Sequence, residues 1–314
     1  MTLKKSVAWF PRMAPIALAL LLAACGSTPV RVPEPPTHTL PPTVTPEPAT
    51  RALRLGLALG GGAARGFAHV GVIQVLEQNG IRPDFVVGTS AGSMVAAMYA
   101  SGKTAAELEA TALSMEEATL TDWSLPILGR GVLRGEALTR YMRQAVGGKL
   151  MESMQIPLGV LATDLATGQG VLFRRGDTAQ AVRASSAVPG VFAPVHIAGR
   201  DYVDGGLVAP VPVRHARDMG AEVVLAVDIS SAPEGNSAVG SVQVLLQTFA
   251  IMGQSINRHE LAGADVVLRP ALSGVGSADF TARLRSIEAG RAAMQAALPQ
   301  LRSQLARRLP ANRP

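Results

Sequence analysis

The sequence predicts an α/β fold whose mostly parallel sheet is covered by helices on both faces. Beyond residue 53, short apolar runs of strand length alternate with longer amphipathic runs of helix length, and glycine-rich turns separate several of them. The chain has 314 residues, of which 48% are apolar and 17% are charged. This length and composition suit one α/β domain of about 250 residues and exclude a short peptide, a coiled coil and a wholly disordered chain.

The predicted elements follow in chain order. The first strand covers the apolar run Leu53–Leu59, and the glycines at 60–62 end it. Apolar residues at 67, 70, 72, 73 and 76 then predict a helix over Phe67–Gln78. The next predicted elements are a strand over Asp84–Val87, helices over Ala91–Ala100, Thr104–Met115 and Gly135–Val146, a strand over Leu158–Ala162, a helix over Asp177–Ser186, strands over Val223–Val227 and Val266–Leu268, and an amphipathic helix over Phe280–Leu309 interrupted at Pro299.

Residues 1–24 have the pattern of a signal peptide. Lys4, Lys5 and Arg12 precede an apolar run over Ala14–Ala24, which is too short to span a hydrocarbon core of ~30 Å. The sequence Leu-Ala-Ala-Cys that ends at Cys25 resembles the lipobox of bacterial lipoproteins. This resemblance implies a lipid-anchored protein of the bacterial cell envelope, with Cys25 as the acylated first residue. By resemblance to the sorting of enterobacterial lipoproteins, Gly26 in place of Asp favours the outer membrane over the inner.

A linker and a basic tail flank the predicted catalytic domain. Residues 25–52 hold Cys25 and a proline-rich segment that, in an extended conformation of ~3.1 Å per residue, can hold the folded part away from a membrane. The domain covers residues 53–295, and a basic helical tail covers 296–314. The net charge of +6 arises from the two ends of the chain, so no basic face for nucleic acid is expected.

Ser90 is the candidate nucleophile. It is the central residue of Gly88-Thr89-Ser90-Ala91-Gly92, a G-x-S-x-G pattern between an apolar strand and a helix. Small residues on either side permit the sharp turn that exposes a serine hydroxyl, and the helix directs its positive dipole end toward that hydroxyl. The N–H of Ala91 can also face a developing oxyanion.

The glycine-rich segment over residues 60–66 is a candidate oxyanion hole. It departs from the dinucleotide fingerprint because Arg65 stands where the third glycine is needed, and it has no Gly-Lys-Ser/Thr for a P-loop. Consecutive glycines whose N–H groups converge before a helix can instead stabilise a negative oxygen.

The base that activates Ser90 has two candidate arrangements. Asp204, in Asp204-Gly205-Gly206, is expected at the end of a short strand and could act with Ser90 alone. A Ser-Asp-His triad could instead use His215 or His259. Because only one strand and one helix precede the nucleophile, the two-residue arrangement is favoured.

Three segments together resemble the patatin-like phospholipase family, most closely its bacterial members related to neuropathy target esterase. They are Leu57–Gly71 (LALGGGAARGFAHVG), Gly88–Gly92 and Arg183–Gly190 (RASSAVPG), the last leading to Asp204. The resemblance covers residues 53–295. It implies a three-layer α/β/α patatin-like fold with a mostly parallel central sheet, and a Ser-Asp dyad that needs neither metal nor cofactor.

The resemblance also assigns roles to the glycine loop. It implies that Gly61, Gly62 and Ala63 form the oxyanion hole and that Arg65 fixes the loop by hydrogen bonds. Ala63 departs from the glycine of plant members, and its Cβ is expected to exclude the positive φ that glycine allows.

The expected function is that of a membrane-tethered serine hydrolase acting on a lipid or another carboxylic ester. A Ser-Asp-His esterase and a non-catalytic lipid-binding lipoprotein remain as alternatives. The stretch over residues 120–134, which contains two glycines, is expected either to form an apolar lid or acyl-chain wall or to be ordinary packing.

Overall fold

A computed structural model describes residues 53–116, 122, 131–231 and 240–307. The described residues form a three-layer α/β/α fold around a mostly parallel sheet, as the sequence predicts. The signal peptide, the linker, Cys25 and most of the stretch over residues 120–134 lie outside the described residues.

Ten strands and eight helices are assigned within these ranges. The strands are β1 (Leu55–Leu59), β2 (Phe85–Thr89), β3 (Gly131–Leu133), β4 (Leu158–Asp164), β5 (Gly170–Phe173), β6 (Gly190–Phe192), β7 (Val195–Ile197), β8 (Arg200–Asp204), β9 (Val223–Val227) and β10 (Val266–Leu268). The helices are α1 (Ala68–Gln78), α2 (Ala91–Ala100), α3 (Ala105–Ser114), α4 (Glu136–Ala145), α5 (Thr178–Ser185), α6 (Val213–Asp218), α7 (Ser241–Glu260) and α8 (Arg283–Arg307).

The main sheet contains eight of these strands. Its parallel part has the order β10-β9-β1-β2-β4. Strands β5 and β8 pair with β4 in the antiparallel direction, and β7 pairs with β8. A separate parallel pair joins β3 to β6.

Side chains of the central strands alternate between the two faces of the sheet. On β1, Leu57 packs into the larger core with α1, α2 and α8, whereas Ala58 packs on the opposite face with α6. On β9, Leu225 likewise packs into the larger core, whereas Ala226 packs on the opposite face. Both faces of the sheet are therefore buried, which is why these strands are continuous apolar runs in the sequence.

Strands β2 and β8 lie end to end along the same edge of β4. Leu161 pairs with Thr89 of β2 and with β5, while Ala162 pairs with Asp204 of β8 and again with β5. Because β5 occupies one edge of β4, both β2 and β8 must occupy the other. The end of β2 therefore meets the end of β8.

Two parts of the sequence interpretation need correction. Helix α8 continues through Pro299 without interruption, because neighbouring Leu301 is fully buried and holds the helix against the core. The sequence also gives no indication of α7, which has apolar residues on both sides instead of one. Within the described ranges, no helix combines the length and the hydropathy needed to cross a bilayer.

Candidate active site

Ser90 occupies a sharp turn between β2 and α2. Its backbone has φ 52° and ψ −124°, a conformation that L-residues rarely adopt. A side chain on Gly92 would meet the carbonyl oxygen of Leu59 at 2.2 Å, and one on Gly88 would meet that of Gly92 at 2.5 Å. The two glycines of the G-x-S-x-G pattern are thus required by close backbone approach.

The strained turn is held by hydrogen bonds. The hydroxyl of Ser185 on α5 accepts from the N–H of Ser90 at 2.9 Å and donates to the carbonyl of Leu161 at 2.6 Å. On the other side of the turn, the Ser93 hydroxyl donates to the Ser90 carbonyl at 2.6 Å. Ser185 therefore ties the candidate nucleophile to β4.

Asp204 ends β8 and is only 7% exposed. Its Oδ1 accepts a 2.7 Å hydrogen bond from the N–H of Gly206, whereas Oδ2 is buried and has no hydrogen-bond partner among the described residues. Burial raises the pKa of Asp204 to about 6, and the hydrogen bond from Gly206 and the nearby Ser90 hydroxyl oppose this rise.

The interaction between Ser90 and Asp204 is a loose one. The Ser90 hydroxyl lowers the pKa of Asp204 as a donor does, yet no pair of atoms between the two side chains has ordinary hydrogen-bond geometry. Such contacts are often long in unliganded enzymes and shorten when substrate binds. The two residues that the sequence predicts as a dyad thus lie together where the end of β2 meets the end of β8.

The glycine loop follows β1 and faces the same site. The N–H of Gly61, one of the predicted oxyanion donors, donates to the carbonyl of Pro210 at 2.9 Å in this structure. Ala63 adopts φ 51° despite its Cβ, which corrects the expectation that this residue avoids a positive φ. The N–H of Ala64 donates to the backbone carbonyl of Ser277 at 3.0 Å, and this bond fixes the loop beyond Ala63.

Three backbone donors remain near Ser90. The N–H groups of Gly62, Ala63 and Ala91 have no hydrogen-bond partner within the described ranges. Ala91 is the first residue of α2, where the helix dipole adds positive potential. These donors can stabilise an oxyanion formed at Ser90.

Arg65 and His69 support the loop from behind. The guanidinium of Arg65 is buried and donates to the Ser231 hydroxyl at 2.6 Å, as the predicted loop-fixing role requires. His69, fully buried on α1, lies 2.8 Å from the carbonyl of Gly60 through Nε2. Burial lowers the pKa of His69 to about 4, so the ring is neutral and donates from Nε2 at neutral pH.

Ser90 lies where two cavities meet. The first has a volume of about 280 Å³ and is lined almost entirely by apolar residues, among them those of α2, α3 and the β3–β6 pair. Arg183 supports this wall by donating to the carbonyls of Arg134 and Ala193. The second, of about 220 Å³, is more polar and is lined by Arg65, Asp204 and several serines.

None of the histidines in the described ranges lines either cavity. His215 is buried on α6 next to Gly170 of β5, and burial lowers its pKa. His259 is exposed near the end of α7. Neither has a hydrogen bond to Asp204.

Comparison with protein families identifies the chain. The model of the family described as patatin-like phospholipase matches residues 57–217, which is more than half of the chain and includes both Ser90 and Asp204. The chain belongs to the patatin-like phospholipase family. Its glycine loop, serine turn and aspartate turn all lie within the matched segment.

Several patatin-like relatives share part of their sequence with the chain. An uncharacterized NTE family protein of Mycobacterium tuberculosis is 38% identical over 183 residues, which cover 58% of this chain and 51% of the relative. A second such protein from that species is 31% identical over 272 residues, covering 78% and 46%. The chain thus spans about half the length of these relatives. Patatin-like phospholipase domain-containing protein 6 of Mus musculus is 32% identical over 187 residues, covering 57% and 14%.

A solved structure has the same fold. The crystal structure of VipD from Legionella pneumophila superposes with a TM-score of 0.54 at 14% identity, covering 81% of this chain and 68% of VipD. At this identity the likeness shows the fold alone.

Three residues of the site escaped the sequence interpretation. Ser185 and His69 hold the serine turn and the glycine loop, and both lie inside the segments that carry the family resemblance. Ser186 is buried beside the apolar cavity, and its hydroxyl has no hydrogen-bond partner among the residues described. Sequence spacing cannot show which neighbouring serine, 185 or 186, faces Ser90.

Proposed function

We propose that this patatin-like protein is a serine hydrolase of lipid or other carboxylic esters that works through a Ser90–Asp204 dyad. One observation carries the proposal. Ser90 directly follows β2 on a strained turn, where the end of β2 meets the end of β8. There the buried Asp204 has a pKa raised to about 6, and its Oδ2 has no hydrogen-bond partner among the described residues. A carboxylate with that pKa is a better base near neutral pH than an ordinary aspartate.

The proposed reaction has two halves. As Ser90 Oγ attacks the ester carbonyl carbon, its proton passes to Asp204, and the N–H groups of Gly62, Ala63 and Ala91 stabilise the resulting oxyanion. When the carbon–oxygen bond to the alcohol breaks, the leaving alcohol takes the proton from Asp204. Water then attacks the acyl-enzyme, and Asp204 accepts and returns a proton in the same way.

The two cavities suggest where the parts of the substrate bind. The apolar cavity fits an acyl chain, because it offers few polar atoms apart from the hydroxyls of Ser90, Ser186 and Ser277. The more polar cavity, which contains Asp204 and Arg65, fits the alcohol portion that leaves.

The Ser-Asp-His alternative has less support. Its histidine would have to lie between Ser90 and Asp204, whereas His215 packs near Gly170 and His259 is exposed on α7. A non-catalytic binding role would leave the strain at Ser90 and the burial of Asp204 without a purpose.

We also propose that Cys25 is acylated and anchors the protein to the bacterial cell envelope, in the outer membrane. The charged start, the short apolar run and Leu-Ala-Ala-Cys support this proposal. The proline-rich linker would then hold the hydrolase domain near its lipid substrate.

The proposal is tested by exposing a bacterial lipid extract to the full-length protein and to Ser90→Ala. We expect free fatty acid with the unmodified protein only, and fluorophosphonate labelling that is lost in Ser90→Ala. Ser277→Ala is the matched control, since Ser277 lines both cavities but lies outside the serine turn, and it should still be labelled. Fatty acid release that persists in Ser90→Ala would refute the proposal, and no release by any variant would favour the binding role.

A further inference from the structure

Helix α7 exposes an aliphatic face to solvent. Val244 is 52% exposed, Ile251 53% and Met252 47%, and their spacing of seven and eight residues places them on one side of the helix. Thr248 and Ser255 lie on the same side of the helix, and both are exposed. We refer to Val244, Thr248, Ile251, Met252 and Ser255 as the outer face of α7.

The opposite side of α7 belongs to the active site. Leu246, Phe249, Ala250 and Gly253 line the more polar cavity, together with Ser90 and Asp204. The helix also packs against the turn Gly205–Leu207 that directly follows Asp204, and against β6. Helix α7 is thus a cover over the cavity, and its outer face is the surface of that cover.

The charge distribution of α7 also fits an apolar environment at its outer face. No acidic or basic residue occurs from Ser241 to Asn257, and the first charge is on exposed Arg258. A surface helix of a soluble domain ordinarily carries charges on the side away from the core. A helix with apolar residues on two opposite sides is typical of a segment that is buried on both.

We propose that the outer face of α7 docks on a lipid–water interface, with Val244, Ile251 and Met252 at the boundary between headgroups and acyl chains. This inference rests on the proposed function, since a lipid hydrolase must bring its cavity to a lipid surface. A lipid surface is favoured over a second copy of the chain because α7 covers the cavity, and a rigid protein partner there would obstruct the entry of substrate. Arg258, at the end of the uncharged stretch, can contact anionic headgroups.

The location of α7 on vesicles can be measured directly. Because Cys25 is the only cysteine, Cys25→Ser combined with Met252→Cys gives the full-length chain a single site for an environment-sensitive fluorophore. The matched controls carry Leu165→Cys or Leu284→Cys, since these leucines are 44% and 60% exposed and lie elsewhere on the domain. Each labelled protein is added to phosphatidylcholine–phosphatidylglycerol vesicles that contain a nitroxide quencher in the acyl chains.

We expect the fluorophore at 252 to shift to the blue and to be quenched, while those at 165 and 284 change little. Equal blue shifts and equal quenching at the three sites would overturn the proposal, whatever residues 1–24 contribute to vesicle binding. A blue shift at 252 that depends on protein concentration without vesicles would assign the face to self-association and would also overturn it.

A second experiment uses the unlabelled double variant Ile251→Gln/Met252→Gln. Loss of two buried apolar contacts with lipid should lower hydrolysis of vesicle lipid roughly tenfold while leaving hydrolysis of a soluble short-chain ester unchanged. Leu165→Gln/Leu284→Gln should change neither. Equal loss on both substrates would contradict docking. Absence of hydrolysis in every protein would refute the proposed function instead, and the fluorescence result would still decide the docking.

Discussion

The carboxylate of Asp204 accepts a hydrogen bond from the N–H of Gly206 at Oδ1, while its Oδ2 is buried and has no partner in the part of the chain that the structure describes. An ionised carboxylate in this environment is poorly compensated, so the proton is held more tightly than in an exposed aspartate. The pKa of about 6 that results has consequences for both activity and stability.

The first prediction concerns the acid side of the pH–activity profile. Only the deprotonated form of Asp204 can accept the Ser90 proton, so kcat/KM should decrease about tenfold for each pH unit below a pKa near 6. The measurement is kcat/KM on a soluble ester from pH 4.5 to 8.

His215→Gln serves as its control. A histidine with an ordinary pKa of about 6.5 could produce a similar profile. If Asp204 is the titrating base, the acid limb persists unchanged in His215→Gln. A limb that disappears in that variant would contradict the assignment.

The second prediction concerns stability. Between the unfolded pKa of about 3.9 and the folded pKa of about 6, the native state binds more protons, so stability decreases as pH rises. Asp204→Asn removes this titration. Relative to the unmodified protein, the variant should gain about 2 kcal/mol of unfolding free energy between pH 4 and pH 7.5.

Urea denaturation of both proteins at the two pH values measures this difference. The titration of His69 acts in the opposite direction, since its folded pKa is lowered, but it is present in both proteins and cancels. If the two proteins differ in stability by the same amount at pH 4 and at pH 7.5, the folded-state pKa of Asp204 is not raised, which would contradict the prediction.

The third prediction concerns the acyl chain. Ala112 on α3 is buried and lines the apolar cavity, so Ala112→Met should reduce the space available to a long chain. We expect kcat/KM for long-chain esters to fall roughly tenfold, with little change for acetyl or butyryl esters. Ala110→Met on the exposed side of the same helix is the control, and an equal effect there would exclude a role of the cavity.

The fourth prediction concerns the N-terminus. If Cys25 is the lipid anchor, mass spectrometry of protein extracted from the membranes of a bacterial host should find a mature chain that begins at acylated Cys25. Cys25→Ser should retain residues 1–24. An intact Met1 together with an unmodified Cys25 would reject the anchor.

The sequence predicts best those elements that have a clear apolar pattern. Helix α2 and strands β9 and β10 agree with the predicted bounds, and both strands are uninterrupted apolar runs between charged residues. Helix α7 was not predicted, because its outer face is as apolar as its inner face and gives no one-sided period. Strands β5 to β7 are short and partly exposed, so their apolar pattern is weak.

The candidate site divides in a similar way. Ser90 and Asp204 could be predicted because the chemistry of each is linked to a local turn motif. The hydrogen bond of Gly61 could not be predicted, because its partner Pro210 is distant in the chain and is brought close only by the tertiary fold. The same holds for Ser185, whose contact with Ser90 depends on the packing of α5 over β4.

The dyad is tested most directly by kcat/KM on a short-chain p-nitrophenyl ester for Asp204→Asn, His215→Gln and His259→Gln, after circular dichroism has confirmed that each variant is folded. A positioned general base contributes about 10²–10⁴-fold, so Asp204→Asn should lose activity by that factor while both histidine variants stay close to the unmodified protein. Near-normal activity of Asp204→Asn, or a loss of ~10³-fold in either histidine variant, would contradict the Ser90–Asp204 dyad and favour a triad.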